Sequence, residues 1–224
     1  MSTNPGRVLF AFGLSTTGLS LLRIAARIAP LGKLEALHFL DARTMATGES
    51  TFHMAESFEA IKGLAQELQV SITFTYREAS DITAAILNQS DVFRAELLLV
   101  GPGMGRPSDP LGGRVGELIR KSSTPVAVCT RPIVELKSVV VISESDAPDN
   151  PGVLFQPGPD LKVSHQKPPR LDVDPENARS DGDTARAEME REASLVVTDL
   201  TTWRTADLDP TTPTLILCGA RARK

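Results

Sequence analysis

Aromatic side chains are scarce in this 224-residue chain, at 4% with a single Trp and a single Tyr. Its core must therefore be built mostly from Leu, Val, Ile and Ala. Cysteine is rarer still: Cys129 and Cys218 stand alone, each at the end of an apolar strand pattern. Without CxxC spacing they read as buried structural thiols rather than a disulfide or redox pair. There is no basic excess, the net charge being -4, and no basic run beside aromatics. Nucleic-acid binding by charge or by base stacking is excluded on that ground. No apolar run approaches the length of a bilayer span. Nothing resembles a signal peptide, because Val8–Phe12 is too short and opens a strand pattern. A cytoplasmic location without direct membrane insertion of this segment is expected. The three histidines, His38, His53 and His165, have no metal-ligand spacing, and no Gly-x-Ser-x-Gly elbow occurs. His38 lies in an apolar strand and reads as a core or edge histidine. Asp160, Asp172, Asp174, Asp181 and Asp183 read as a solvated acidic run. No catalytic or metal-binding residue is expected.

What is present is a regular alternation of short apolar runs and helical patterns. Arg7–Phe12, Lys33–Leu40, Val70–Thr75, Glu96–Val100 and Pro125–Cys129 read as strands. Between them, Ser15–Thr17 offers caps for a helix reaching Ile28. Phe52–Leu68 places Met54, Phe58, Ile61, Leu64 and Leu68 on one side, and Ser80-Asp-Ile-Thr83 opens a further helix. Strands separated by such helices imply right-handed crossovers, hence a doubly wound, parallel five-stranded α/β sheet over residues 1–131.

Residues 132–224 are a reduced version of the same plan. Lys137–Ile142 matches Arg7–Phe12 in role, Ala193–Thr198 matches Ala95–Val100, and Thr212–Cys218 matches Ser123–Cys129. Val153–Phe155 and Leu161–His165 are short candidate strands, and Thr184–Glu192 can form an acidic helix. Between these lies a polar, proline-rich acidic segment at about 166–183, read as a flexible linker. The second copy lacks the first helix, and Leu200–Thr212 replaces the glycine loop. This is a smaller, degenerate unit, expected to pair with the first as a pseudo-dimer that hides sheet edges.

Two stretches could hold a ligand. Gly101-Pro-Gly-Met-Gly-Arg106 follows a buried strand, and Gly112-Gly113 opens the next helix. Gly101, Gly103 and Gly105 let the backbone approach an anion closely, and Arg106 adds a cation. The helix start at Gly112 and Gly113 offers free N–H groups to a phosphate. There is no Walker lysine and no Rossmann fingerprint. Gly13, Leu14 and Ser15 close the first strand, which in a doubly wound sheet lies beside this loop at the topological switch point. Turn formation and helix capping are the structural alternatives for both stretches.

These residues resemble the universal stress protein superfamily over 1–131. Its nucleotide-binding members carry spaced glycines followed by a Gly-Ser or Gly-Thr step, and an aspartate at the end of the first strand that contacts the adenine and ribose side. Here Gly101 or Gly103, Gly105, Gly112 and Gly113 occupy that loop, and Ser123-Thr-Pro-Val-Ala-Val128 resembles the closing strand. The loop is shorter, contains Pro107 and Pro110, and has Arg114 after Gly113; Gly13 stands where the aspartate would be. These departures weigh against ATP itself and leave AMP, another nucleotide or a small anion open. Almost the whole chain is also similar to the tandem, stress-protein-like cytosolic C-terminal region of monovalent cation/proton antiporters. That resemblance rests on Phe52–Leu68, Ser71–Tyr76, Ser80–Ile86, Glu96–Gly101, Ser194–Trp203 and Thr212–Leu217. It implies a non-enzymatic regulatory or sensor module, with a membrane transporter core in cis and a homodimer or intramolecular pseudo-dimer. A free-standing stress protein or ligand-free docking module is the alternative, and a slow ATP hydrolase comes last.

Overall fold

The computed structural model describes residues 5–13, 15–41, 50–101, 109, 111–142, 154–155, 157, 160–166, 194–205 and 211–218. Of these, residues 15, 40, 41, 50–54 and 205 are described without their side chains. Strand β1 (Arg7–Phe12) is buried on both faces, as its unbroken apolar run requires. It leads through α1 (Ser15–Ile28) to β2 (Lys33–Asp41), α2 (Ser50–Glu67) and β3 (Ile72–Ala79). The chain then crosses back through α3 (Ile82–Phe93) to β4 (Leu97–Val100), α4 (Gly113–Lys121) and β5 (Val126–Cys129). The order β3-β2-β1-β4-β5 is parallel throughout. Alternate residues of β1 serve opposite faces: Phe10 and Phe12 pack with Leu21, Ile24 and Ile61 under α1 and α2. Leu9 and Ala11 pack with Leu37, Ile86 and Leu118 under α3 and α4.

Local signals place the helix ends. The Asp81 carboxylate accepts the Ala84 N–H at 3.0 Å, capping α3, and Arg94 ends it in the left-handed region at φ 55°. Gly18 is needed where α1 crosses α2, because a Cβ there would lie 2.7 Å from the Ile61 side chain and 2.8 Å from the Phe12 ring.

The remaining strands are β6 (Ser138–Ile142), β7 (Lys162–Gln166), β8 (Leu195–Asp199) and β9 (Thr214–Cys218), with a short α5 (Leu200–Thr205) between the last two. They continue the same sheet, which has nine strands in the order β3-β2-β1-β4-β5-β9-β8-β6-β7. Read from its far edge, β7-β6-β8-β9 retraces β2-β1-β4-β5. The joint is the antiparallel pair β5–β9, with Val126 opposite Cys218 and Cys129 opposite Leu215. Each strand thereby covers the other's hydrogen-bonding edge. Beyond the pair, the Thr130 N–H donates to the Thr214 carbonyl at 2.8 Å, and the connector's Ile133 N–H donates to the Ser20 hydroxyl of α1 at 2.8 Å.

Several elements depart from expectation. Strand β3 runs on to Ala79, because β2 offers it a ladder as far as Asp41. Leu154 lies in a short 3-10 turn and Phe155 is a buried plug, so neither continues a strand. Helix α5 was not anticipated. The acidic stretch at about 166–183, except Gln166, and the helix expected over 184–192 lie outside the described residues. Both cysteines are buried free thiols. They pack on opposite faces of the sheet. Burial pushes Cys129 up to about 12 and Cys218 to about 11, leaving both as inert thiols.

Candidate functional site

The strand order reverses direction between β1 and β4, whose connections leave toward opposite edges of the sheet. Ala11 and Val100 are paired across these strands. One residue further lies Gly101, which is buried; two residues beyond Ala11 lies Gly13, half-buried. The fold thus brings Gly13 and Gly101, distant in sequence, to neighbouring strand ends.

What makes each a glycine is visible in its surroundings. A Cβ on Gly101 would overlap the Thr17 methyl group and approach Leu21 Cδ1 at 3.5 Å. The start of α1 therefore rests directly on the end of β4. A Cβ on Gly13 would come within 3.3 Å of the Phe39 ring. An aspartate, as the resembled family carries, would have to displace that ring.

Helix α4 begins at Gly112, in extended conformation, and Gly113, whose φ of 57° is the left-handed region that favours glycine. The turn just ahead of it is held by Asp109. The Leu111 N–H donates to the Asp109 carboxylate at 3.1 Å, and the Gly112 N–H donates to the Asp109 carbonyl at 3.0 Å. The same carboxylate overlaps the place a Gly112 Cβ would take. Asp109 is exposed, so its charge sits where the helix dipole favours an anion. Leu14, Gly103, Gly105 and Arg106 lie outside the described residues, as does the side chain of Ser15.

Two contributors were missed by the sequence reading, and Thr17, expected to offer its hydroxyl as a cap, instead packs its methyl on Gly101. Phe39 could have been found only by knowing which strand ends adjoin. Asp109 carried a local signal, an acidic residue just ahead of a helix, hidden between Pro107 and Pro110. His38, read as a core or edge histidine, is buried in β2. Burial lowers its pKa, partly offset by a hydrogen bond to the Gly13 backbone. On the opposite face, Glu35 is 3% exposed; it accepts the Thr75 hydroxyl at 2.5 Å and the Gln89 amide at 2.6 Å. Arg77 donates in turn to Gln89 at 3.1 Å. This network ties β2, β3 and α3 together, away from the glycine ends. Among the described residues no group of three His, Cys, Asp or Glu could hold a metal ion, and no helix is long and apolar enough to cross a membrane.

The corresponding place in the far half differs. Strand β8 ends in Asp199, whose carboxylate accepts both the N–H and the hydroxyl of Thr202 at 2.8 Å. The short helix so capped returns Trp203 against the cluster containing Val126, Val128 and Cys218. Where β4 leads into a glycine loop, β8 leads into a capped turn.

No family profile and no curated protein sequence matches the chain. Solved structures do. A universal stress protein from Archaeoglobus fulgidus DSM 4304 superposes with a TM-score of 0.53 at 10% identity, covering 98% of this chain and 97% of that one. The cytoplasmic domain of a prokaryotic cation chloride cotransporter gives 0.54 at 13% identity, covering 95% of each chain. A Pseudomonas aeruginosa UCBPP-PA14 protein named as a universal stress protein gives 0.54 at 13%, covering 96% and 94%. The chain has the universal stress protein fold, in an arrangement that also occurs as the cytoplasmic part of a transporter.

Proposed function

We propose that this chain is a non-enzymatic regulatory module that senses a small anionic ligand, with nucleotides first, at the ends of β1 and β4, and transmits its occupancy to an ion transporter. The observation that carries the reading is the meeting of Gly13 and buried Gly101 at the switch point, where neither strand end carries a side chain of its own. Gly112 and Gly113 at the start of α4, with Leu14, Ser15, Gly103, Gly105 and Arg106, complete the candidate site. Residues 1–131 and 132–224 are taken as two units of one tandem repeat, the second degenerate. The β5–β9 joint supports an intramolecular pseudo-dimer over a homodimer through the same edge, since an edge already paired has no free hydrogen-bonding groups. A transporter partner in cis, a cation/proton antiporter in the first instance, is supported by the sequence resemblance and by the fold shared with a cotransporter's cytoplasmic domain.

The test is native mass spectrometry of protein purified from cells, followed by thermal melting with millimolar ATP, ADP, AMP and cyclic dinucleotides. A bound nucleotide or a raised Tm is expected; ligand at 100 times its Kd stabilises by about 2.7 kcal/mol. A second reading is a ligand-free docking module. It is favoured by Thr17 resting on Gly101 and by the Asp109 carboxylate packing beside Gly112, just ahead of α4. No nucleotide and no shift would favour it. The coding frame upstream of residue 1 tests the transporter link: membrane-spanning segments are expected, and an immediate in-frame stop would remove the link.

A further inference from the structure

His38 is walled in by rings, at 2% exposure. Phe12 of β1 meets it edge-on at 5.0 Å, Phe58 of α2 does so at 5.7 Å, and Tyr76 of β3 lies nearly parallel at 6.3 Å. The ring is hydrogen-bonded to the backbone of Gly13, the residue that turns β1 toward α1. Its Nδ1 is buried with no hydrogen-bond partner. The bond to Gly13 is therefore made by Nε2, donating to the carbonyl. An orphaned buried polar atom is destabilising, and a phenylalanine or leucine would fill the same box without one.

We propose that His38 is an acid-sensitive latch on the β1–α1 turn. Neutral, it ties β2 to the Gly13 carbonyl. Protonated, it carries a charge and a second N–H into a box where no described side chain receives them; the Gly13 carbonyl offsets this only in part, so the ring leaves and frees the turn.

The surroundings decide the direction. From β1 the ring meets Phe12. From α2 it meets Phe58, while Glu56 and Glu59 of that helix are exposed and the His53 side chain lies outside the described residues. From β3 it meets the Tyr76 phenol, and the acid beyond, Glu78, is exposed and accepts the Tyr76 hydroxyl at 3.1 Å. Thr17 and Leu21 of α1, near the same turn, carry no charge. Among the described side chains in ring contact with His38 there is thus no carboxylate to hold an imidazolium. Burial also sets the native pKa below the ordinary 6.5. Below that ordinary value the unfolded chain takes up the proton first, so stability is complete above about pH 6.5 and declines as the pH falls through this window.

The latch acts on Gly13, but its test needs no ligand. On the full chain, NMR from pH 8 to 4 would follow the His38 Cε1 proton and the amides of Gly13 and Thr17, with urea melts at each pH. His38 should titrate below its ordinary value, and both amides should move in the same transition. The unfolding constant should rise by up to about tenfold per pH unit below 6.5. His38→Phe should flatten that slope, and His165→Gln should preserve it. Titration of His38 at or above 6.5, or amides of Gly13 and Thr17 that stay still while it titrates, would overturn the proposal. The same holds for an undiminished slope in His38→Phe. If that variant does not fold, the titration of the unaltered protein decides alone.

Discussion

The two places where a strand turns out of the sheet toward its last helix solve the same problem in opposite ways. After β4, Gly101 removes a side chain so that Thr17 can sit on the backbone, and the chain runs on into a glycine loop. After β8, Asp199 supplies a side chain that caps α5, and Trp203 packs the end shut. The first arrangement brings two glycines to the switch point, each covered by a neighbour's side chain; the second ends its strand in a carboxylate that caps the next helix. The comparison teaches that one strand order can end a strand in a bare glycine or in a capping carboxylate through a few residues. It also indicates which half to test for binding.

Breaking the first arrangement should have the largest effect. Gly101→Ala drives a methyl into the Thr17 methyl, and overpacking of this kind costs about 1–3 kcal/mol. Thr17→Ser removes the opposing methyl, so the double variant should recover much of the loss, read by urea denaturation as a positive coupling. If Gly101→Ala is neutral, α1 does not rest on β4 as described.

Next comes the far half. Asp199→Ala removes the acceptor for the Thr202 N–H and hydroxyl, and loss of such a cap costs about 0.5–2 kcal/mol. The Trp203 fluorescence should shift toward that of a solvated indole, since α5 holds this residue against the sheet. An unchanged emission would mean that packing alone keeps the end closed. The smallest effect is expected at the start of α4. A methyl from Gly112→Ala meets only the exposed carboxylate tip of Asp109, which can swing aside, so the change should stay within about 0.5 kcal/mol. A loss as large as that at Gly101 would show the Asp109 contact to be rigid, and the two glycines equivalent.

The core strands and their parallel order were legible because their signals are local. Each is a short apolar run bounded by Gly, Pro or a cap, and Arg7–Phe12 or Leu97–Val100 can hardly be read otherwise. The strands within Lys137–Ile142 and Thr212–Cys218 were legible for the same reason. The ends were less so. Strand β3 was expected over Val70–Thr75 and forms over Ile72–Ala79, because its length follows the ladder β2 offers. Of the expected ligand residues, Gly13, Gly101, Gly112 and Gly113 were read from glycine's conformational freedom. Only at Gly113 is a positive φ the reason for glycine. At Gly101 and Gly112 the reason is a neighbour's side chain, which no local pattern reveals.

By itself the sequence determined the class of fold, the buried strands and the buried placing of both cysteines. All of these follow from which residues are apolar and at what spacing. The tertiary structure decided that the two halves share one nine-stranded sheet through β5 and β9, since edge pairing is a choice of partner and not of pattern. It decided, too, that Gly13 lies against Phe39 and in reach of His38. Those residues are adjacent only because β1 ends opposite His38 while β2 runs on through Phe39, and the chemistry of the turn is set by that adjacency.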